Sequence, residues 1–345
     1  MQKAREIGSD FWKTELKKTD TRFFLAGRTA LEYIIRDILV EKTIKSVLMP
    51  SYCCYTMIEP FKRHCIQIRF YDVLFQDGKL TVDIPEAKDN EIFFAIKYFG
   101  YCELADFDMG RIGREWECII EDCTHSWLID ERQQGTPDYR FISYRKWTGI
   151  GAISTAEKLN GKFNIAQQPI INEIYNRKRT TAEEGKKVFI EENKGDKNKY
   201  LNAFGEAERG LSDDYVDYLP SYESIYRFFN MDVDEIKRRR RENATVLLDG
   251  VKGISGITLM FDTIEKTDTP LFVPILIQPE RRDALRNYLI YHQIYCPVHW
   301  PLSDLHAGIS ERAIKIYNQE LSLVCDQRYD CDDMERIIKT IRNYF

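Results

Sequence analysis

Between residues 29 and 143 the chain alternates two kinds of apolar pattern, and this alternation limits the folds open to it. "TALEYIIRDILV" places Leu31, Ile34, Ile35, Ile38 and Leu39 at i, i+3, i+4, i+7 and i+8, the stripe of an amphipathic helix. "SVLMP" follows, a short apolar run closed by Pro50 and read as a strand; Cys54, Met57, Ile58 and Phe61 then repeat the helical spacing. "IQIRFYDV", "EIFFAIKYFG", "CIIED" and "YRFISY" are further strand-like runs. Short β-rich runs alternating with helices predict a mostly parallel sheet covered by helices on both faces. Ligands of such sheets gather beyond the carboxyl ends of the strands. That rule directs attention to four places: Tyr52 to Tyr55, Phe99 to Tyr101, Glu121 to Ser126, and Ser143 to Trp147.

The pattern weakens from about 160 to 225, where "TTAEEGKKVFIEENKGDKNKY" reads as a helix and an exposed loop. A second region then begins. "DVDEIKRRRRENATVLLDGV" reads as a long helix, "LFVPILI" as a strand, "ERRDALRNYLIYHQ" as a helix and "IYCPVHW" as a strand. Met334, Ile337, Ile338 and Ile341 mark the apolar face of a last helix. A chain of 345 residues exceeds the usual single-domain size. The expected division is a large α/β unit over residues 1–228, with an N-terminal arm, and a smaller α+β unit over residues 229–345. No internal repeat and no Pro- or Gly/Ser-rich linker interrupts it.

A net charge of −5 gives no overall field favouring nucleic acid or an anionic membrane. No window approaches 18 uninterrupted apolar residues, so no membrane span is expected. The nine cysteines form no CxxC pair and several lie in apolar runs, which predicts buried, reduced thiols. The opening segment carries no apolar core of signal-peptide type, and the expected location is the cytoplasm.

Four features fall at predicted strand ends or at the helix starts that follow. In "AGRTALEYII", Gly27 and Thr29 precede a helix whose unpaired N–H groups and positive dipole end suit a phosphate; a plain Thr cap is the ordinary alternative. In "CIIEDCTHSW", a buried strand ends in Glu121 and Asp122, with His125 three residues on. A carboxylate there is costly unless paired, and is well placed to hold a protonated heterocyclic nitrogen; the alternative is an acid facing solvent. In "ISYRKW", Ser143 and Lys146 stand in S-x-x-K spacing. A lysine made neutral by desolvation or by a nearby cation is a nucleophile toward an aldehyde; a surface lysine is the bland reading. In "MPSYCCYTM", Tyr52, Cys54 and Tyr55 offer groups to lie against a ring, or simply core. Taken together, a phosphate cradle, a strand-end aspartate with a nearby histidine, and a lysine on a later strand form one chemical set. It suits pyridoxal 5′-phosphate, whose ring acts as an electron sink when its nitrogen stays protonated.

The same segments resemble the DegT/StrS family of fold-type-I aminotransferases acting on keto-sugars. "GRTAL" is similar to that family's phosphate-side motif, "IIEDCTHS" to its acid motif, "SYRKW" to its Schiff-base motif, and "LSLVCDQRYDCDDMERI" to its C-terminal signature. The resemblance implies an aspartate-aminotransferase-like fold with a large three-layer αβα domain. It assigns the Schiff-base lysine to Lys146, the pyridine partner to Asp122, and a contact with the ring or its hydroxyl to His125. Thr29, the Ala30 backbone and Ser143 would hold the phosphate, with Gly27 and Arg28 beside them and Cys54 near the ring. It further implies a homodimer with a shared active site, an amino donor such as glutamate, and a keto-sugar acceptor that is often nucleotide-linked. The partner chain's contribution to the phosphate site is expected from about 195 to 225. Dehydration or a non-sugar acceptor on the same fold, and a non-catalytic cofactor- or sugar-nucleotide-binding protein, are the alternative activities.

Other constellations are weaker. S-x-x-K also opens serine β-lactamase sites, but the S-D-N and K-T-G partners are absent from the sequence. Cys296, His299 and His306 match no zinc spacing well, and a core or active-site-rim histidine is the better reading. Asp106 and Asp108 read as a turn. "KRRRRE" at 237 to 242 reads as a solvated helix surface with some arginines paired.

Overall fold

A computed structural model describes residues 19–102, 112, 115–130, 137–168, 170–212 and 215–345. The first half runs β1 (Asp20–Phe24), α1 (Gly27–Glu41), β2 (Ser46–Pro50), α2 (Tyr55–Arg63), β3 (Gln67–Gln76), β4 (Lys79–Asp83), β5 (Glu91–Ile96), β6 (Cys118–Asp122), β7 (Tyr139–Ser143) and β8 (Ser154–Lys158). These strands make one sheet in the order β1-β8-β7-β6-β5-β2-β3-β4. Its centre, β3-β2-β5-β6-β7, is parallel, while β1, β8 and β4 join antiparallel at the two sides. Every residue of β2 and β5 is buried, so both faces of the centre are covered, as a continuous apolar run such as "EIFFAI" requires. Leu31, Ile34, Ile35 and Ile38 of α1 lie in the main apolar core, as their spacing predicts.

The second half runs β9 (Ile170–Ile171), α3 (Glu173–Glu191), α4 (Lys197–Ser212), β10 (Tyr218–Leu219), α5 (Tyr222–Phe229), α6 (Val233–Val251), β11 (Ile257–Leu259), β12 (Val273–Ile277), α7 (Pro279–Tyr291), α8 (Glu311–Gln319), β13 (Glu320–Leu323) and α9 (Cys331–Tyr344). The antiparallel sheet β11-β12-β13 carries a second core. Leu247 and Val251 of α6, Leu285 and Leu289 of α7, and Met334, Ile337, Ile338 and Ile341 of α9 pack there with Val273, Ile275 and Leu323.

The structure corrects several expectations. The stretch 180–200 is the end of α3 followed by an exposed loop at 192–196, as expected, and its last four residues open a further helix, α4, that the pattern did not show. "IYCPVHW" is irregular: Pro297 has no N–H to give a ladder, and only its carbonyl accepts from β13, from Ser322 N–H at 2.9 Å. All nine cysteines are free, but Cys65 and Cys331 are exposed and Cys54, Cys102 and Cys123 only half-buried. Arg238 and Arg239 pair with acids on their own helix, whereas Arg240 of the same run is buried. Asp106 and Asp108 lie outside the described residues. No described helix is long and apolar enough to cross a membrane.

Candidate active site

Successive residues of a strand face opposite sides of the sheet, and the end of β6 uses both sides. Glu121 turns to cations: Arg140 Nε donates to it at 2.7 Å and Lys97 Nζ lies 3.7 Å away. Asp122 has far less. Its Oδ1 accepts from the Thr124 N–H at 2.7 Å, while Oδ2 is buried with no hydrogen-bond partner among the described residues. Burial pushes the carboxyl up to about 6, against the pull of the Thr124 bonds; Glu121 adds to the rise and Lys146 opposes it. The acid therefore does not face solvent, and half of it is unspent.

Lys146 ends a single helical turn, Tyr144–Lys146, directly after β7. Its two flanking aromatics, Tyr144 and Trp147, are buried and fix the turn. Thr124 ties this turn to the end of β6. Its hydroxyl accepts from Ser143 N–H at 3.2 Å and its carbonyl from Trp147 Nε1 at 2.6 Å. Arg240 and Gln327 reach the Trp147 carbonyl at 2.9 and 2.8 Å, and the Arg240 guanidinium lies 4.9 Å from the centre of the Trp147 ring. Arg145 forks onto Glu208 of α4. The Lys146 side chain is exposed, yet burial is the first cause holding its amine below the usual lysine range. Arg145 lowers it further; Cys54, Glu208 and Asp122 act in the other direction.

His125 is buried, and Phe99 N–H points at its Nδ1 from 3.4 Å. Nδ1 thus accepts, and Nε2 of the neutral ring carries the hydrogen. Burial first, then His299 and Lys146, hold this imidazole well below its ordinary pKa, so it is neutral. Its ring stacks on Trp300 with centroids 5.3 Å apart and meets His299 edge-on at 5.5 Å. The donor depends on a sharp turn after β5. Phe99 has φ of 57° and Gly100 of 85°, and a Cβ at Gly100 would fall 1.9 Å from the Thr269 carbonyl oxygen. Leu271 N–H, on the Phe99 carbonyl at 2.7 Å, clamps the same turn to the segment before β12.

The start of α1 closes the site on the Ser143 side. Ala26, not Thr29, is the N-cap, and no side chain caps the helix. A Cβ at Gly27 would lie 3.2 Å from Ser143 Cβ, so the missing side chain is what lets the helix start approach β7. The Ala30 N–H, expected on the phosphate, is already bonded to the Ala26 carbonyl at 3.1 Å, and Thr29 N–H contacts the same oxygen at 3.2 Å. The donors with no partner among the described residues are the N–H groups of Gly27 and Arg28, as at any first turn. The Arg28 side chain is half-buried. Cys54 caps the start of α2 and accepts from Thr56 Oγ1 at 3.1 Å. Tyr52 is core: its hydroxyl donates to the His299 carbonyl and its ring packs among Tyr98, Trp300 and Tyr317. Gly27, Thr29, Ser143, Asp122, His125, Cys54 and Lys146 are thus gathered at one edge of the sheet. Phe99, from one of the four strand-end stretches, and His299, read as a core or rim histidine, join them, as do Glu208, Arg240 and Trp300, which had not been singled out.

No family model matches the chain, and no curated protein sequence matches it. Solved structures do. The aminotransferase TlmJ from Streptoalloteichus hindustanus aligns over 95% of this chain and 85% of its own, with TM-score 0.64 and 16% identity. A DegT DnrJ EryC1 StrS aminotransferase from Brucella abortus aligns over 94% and 85%, with TM-score 0.59 and 15% identity. The E. coli GDP-4-keto-6-deoxy-D-mannose-3-dehydratase, with bound hydrated PLP, aligns over 93% and 87%, with TM-score 0.61 and 13% identity. The likeness establishes the fold, which is the fold-type-I architecture expected from the sequence.

Proposed function

We propose that the chain is a pyridoxal-phosphate-dependent aminotransferase that moves an amino group from an amino acid, glutamate in the first instance, to a keto-sugar. The observation that carries this reading is the unspent Oδ2 of buried Asp122, tied through Thr124 to the turn that presents Lys146. An orphaned carboxylate oxygen is costly unless a donor arrives, and a protonated ring nitrogen is such a donor. Lys146 would hold the cofactor's aldehyde carbon. The N–H groups of Gly27 and Arg28, with the Thr29 and Ser143 hydroxyls, would hold its phosphate at the helix start. His125 Nε2–H would donate to the ring hydroxyl, and Cys54 would lie beside the ring.

Bound there, the cofactor supplies an electron-poor ring that takes up the electron pair released at the substrate carbon. The chain supplies the rest. Asp122, ionised against a positive partner, keeps the ring nitrogen protonated. The lowered amine of Lys146 is neutral in a larger fraction of molecules than an ordinary lysine, so its Nζ takes up and returns the substrate Cα proton. Arg145, fixed on Glu208, holds that amine down without competing for Asp122.

Three further assignments complete the proposal. Residues 1–228 form the cofactor-binding unit and residues 229–345 the smaller one, a reading supported by an apolar core drawn wholly from the second segment. The active form is a homodimer: Tyr222, Tyr226 and Phe229 stand on one side of α5 at 84%, 70% and 68% exposure, an apolar stripe for a second copy to cover. The partner's residue at the phosphate comes from about 195 to 225. The location is the cytoplasm, where nine free thiols remain reduced.

A half-reaction screen tests the reading. The full chain, loaded with pyridoxal phosphate, should be yellow, lose that band with glutamate, and regain it with a keto-sugar. Lys146→Ala should yield no borohydride-trappable adduct and lose at least about a thousandfold in turnover. A colourless wild type, or an adduct surviving in Lys146→Ala, refutes it. Bleaching by glutamate with no return on any keto compound points instead to dehydration on the same fold.

A further inference from the structure

His299 lies in the irregular segment before Trp300, its ring 4.9 Å from that of Phe272 and 5.5 Å from those of Phe99, His125 and Trp300. Two buried residues of β13 hold it from behind. The His299 N–H donates to Glu320 Oε2 at 2.6 Å, and the Ser322 hydroxyl donates to Glu320 Oε1. The Ser322 oxygen also lies 2.9 Å from His299 Nδ1. A serine has one hydroxyl hydrogen. With that hydrogen on Glu320, the Ser322 oxygen must accept from His299, so Nδ1 carries the ring hydrogen. In the neutral ring Nε2 is then a bare acceptor, and no described residue donates to it.

We propose that the Glu320–Ser322 pair is a positioning relay: it fixes His299 in the Nδ1–H tautomer so that Nε2 receives a hydrogen bond from a hydroxyl of the amino-acceptor substrate. This rests on the transaminase reading and deepens it. It assigns selection for a hydroxylated keto compound to a residue outside the cofactor-holding set. His299 is half-buried, and a site that accepts one substrate hydroxyl discriminates against the analogue that lacks it, because that hydrogen bond is then not made.

Side-chain nitrogen NMR of the histidines in the cofactor-free full chain tests the relay directly, with the His299 signal assigned by its loss in His299→Gln. Wild type should show the Nδ1–H tautomer. Ser322→Ala should convert it to a mixture or to Nε2–H, and Ser322→Thr should retain it. With the cofactor-loaded enzyme, Ser322→Ala should raise KM for a hydroxylated keto acceptor about tenfold, leave KM for its deoxy analogue unchanged, and leave the glutamate half-reaction within about twofold. Should Ser322→Ala not fold, Glu320→Gln carries the same readouts. An Nε2–H tautomer in wild type, an unchanged tautomer in the folded variant, or an altered tautomer with unaltered KM for the hydroxylated acceptor overturns the relay. Failure of the transaminase reading shows separately, as a wild type with no colour change on glutamate, and leaves the tautomer result standing.

Discussion

Glu91 and Asp122 are carboxylates at opposite edges of neighbouring strands in the same sheet, at 0% and 1% exposure. Glu91, at the amino edge, is fully engaged: Ser46 Oγ at 2.8 Å, Arg69 at 2.6 Å and Lys88 N–H at 3.0 Å surround it. Asp122, at the carboxyl edge, has one backbone donor and an empty-handed oxygen. Both acids are removed from solvent, and only Glu91 has both oxygens hydrogen-bonded among the described residues. The first serves the fold. The second keeps one oxygen without a hydrogen-bond partner among the described residues, the oxygen assigned above to the proposed cofactor.

The strongest way to break this contrast is Asp122→Asn. Loss of the charge behind the ring should reduce turnover about a thousandfold, equivalent to about 4 kcal/mol, measured in single half-reactions with cofactor bound. Near-wild-type rates there would reduce Asp122 to a buried structural acid. Glu91→Gln should do the reverse: it strips Arg69 of its partner and lowers unfolding free energy by about 3 kcal/mol in urea titration, with activity per folded molecule unchanged.

The pH dependence sharpens the comparison further. The carboxyl of Asp122 rises from an ordinary 3.8 to about 6 in the folded protein. A folded value above the unfolded one means that its contribution is fully present below about pH 4 and is lost as pH rises through 6. In the cofactor-free protein, Asp122→Asn should therefore stabilise above pH 6 by at most about 3 kcal/mol, fading as the pH is lowered toward 4. A variant less stable than wild type at pH 8 contradicts the strained-acid account. The smallest effect is Gly27→Ala. Crowding Ser143 should weaken cofactor binding about tenfold, worth about 1.4 kcal/mol by equilibrium titration, with little change in stability.

Much of the site was legible because strand ends obey a rule. Once "CIIED" and "YRFISY" are read as parallel strands, Asp122 and Lys146 must lie at one edge of the sheet, and they do. What escaped had other causes. Arg240 has the same letter as its neighbours, yet with Ile236, Asn243, Ala244 and Leu247 it falls on the buried stripe of α6; the periodic signal was there and the charge run hid it. His299 was read as a core or rim histidine but not placed between the two: it sits between Pro297 and Pro301 in a segment with no period, so nothing local fixes where its ring goes. Glu208 reaches Arg145 from a polar helix that short-range pattern could not place. The Ala30 N–H was not legible as engaged, because a helix spends its fourth N–H on its own ladder while the first two stay open.

Thr124 gives the arrangement its economy. A single residue supplies the N–H on Asp122, the hydroxyl beneath Ser143 and the carbonyl on Trp147. The spacing between acid and amine is therefore gauged by one short side chain and its own backbone, like two jaws cut from a single block. A change at that position would misalign both jaws at once, and no adjustment of either alone would restore their distance.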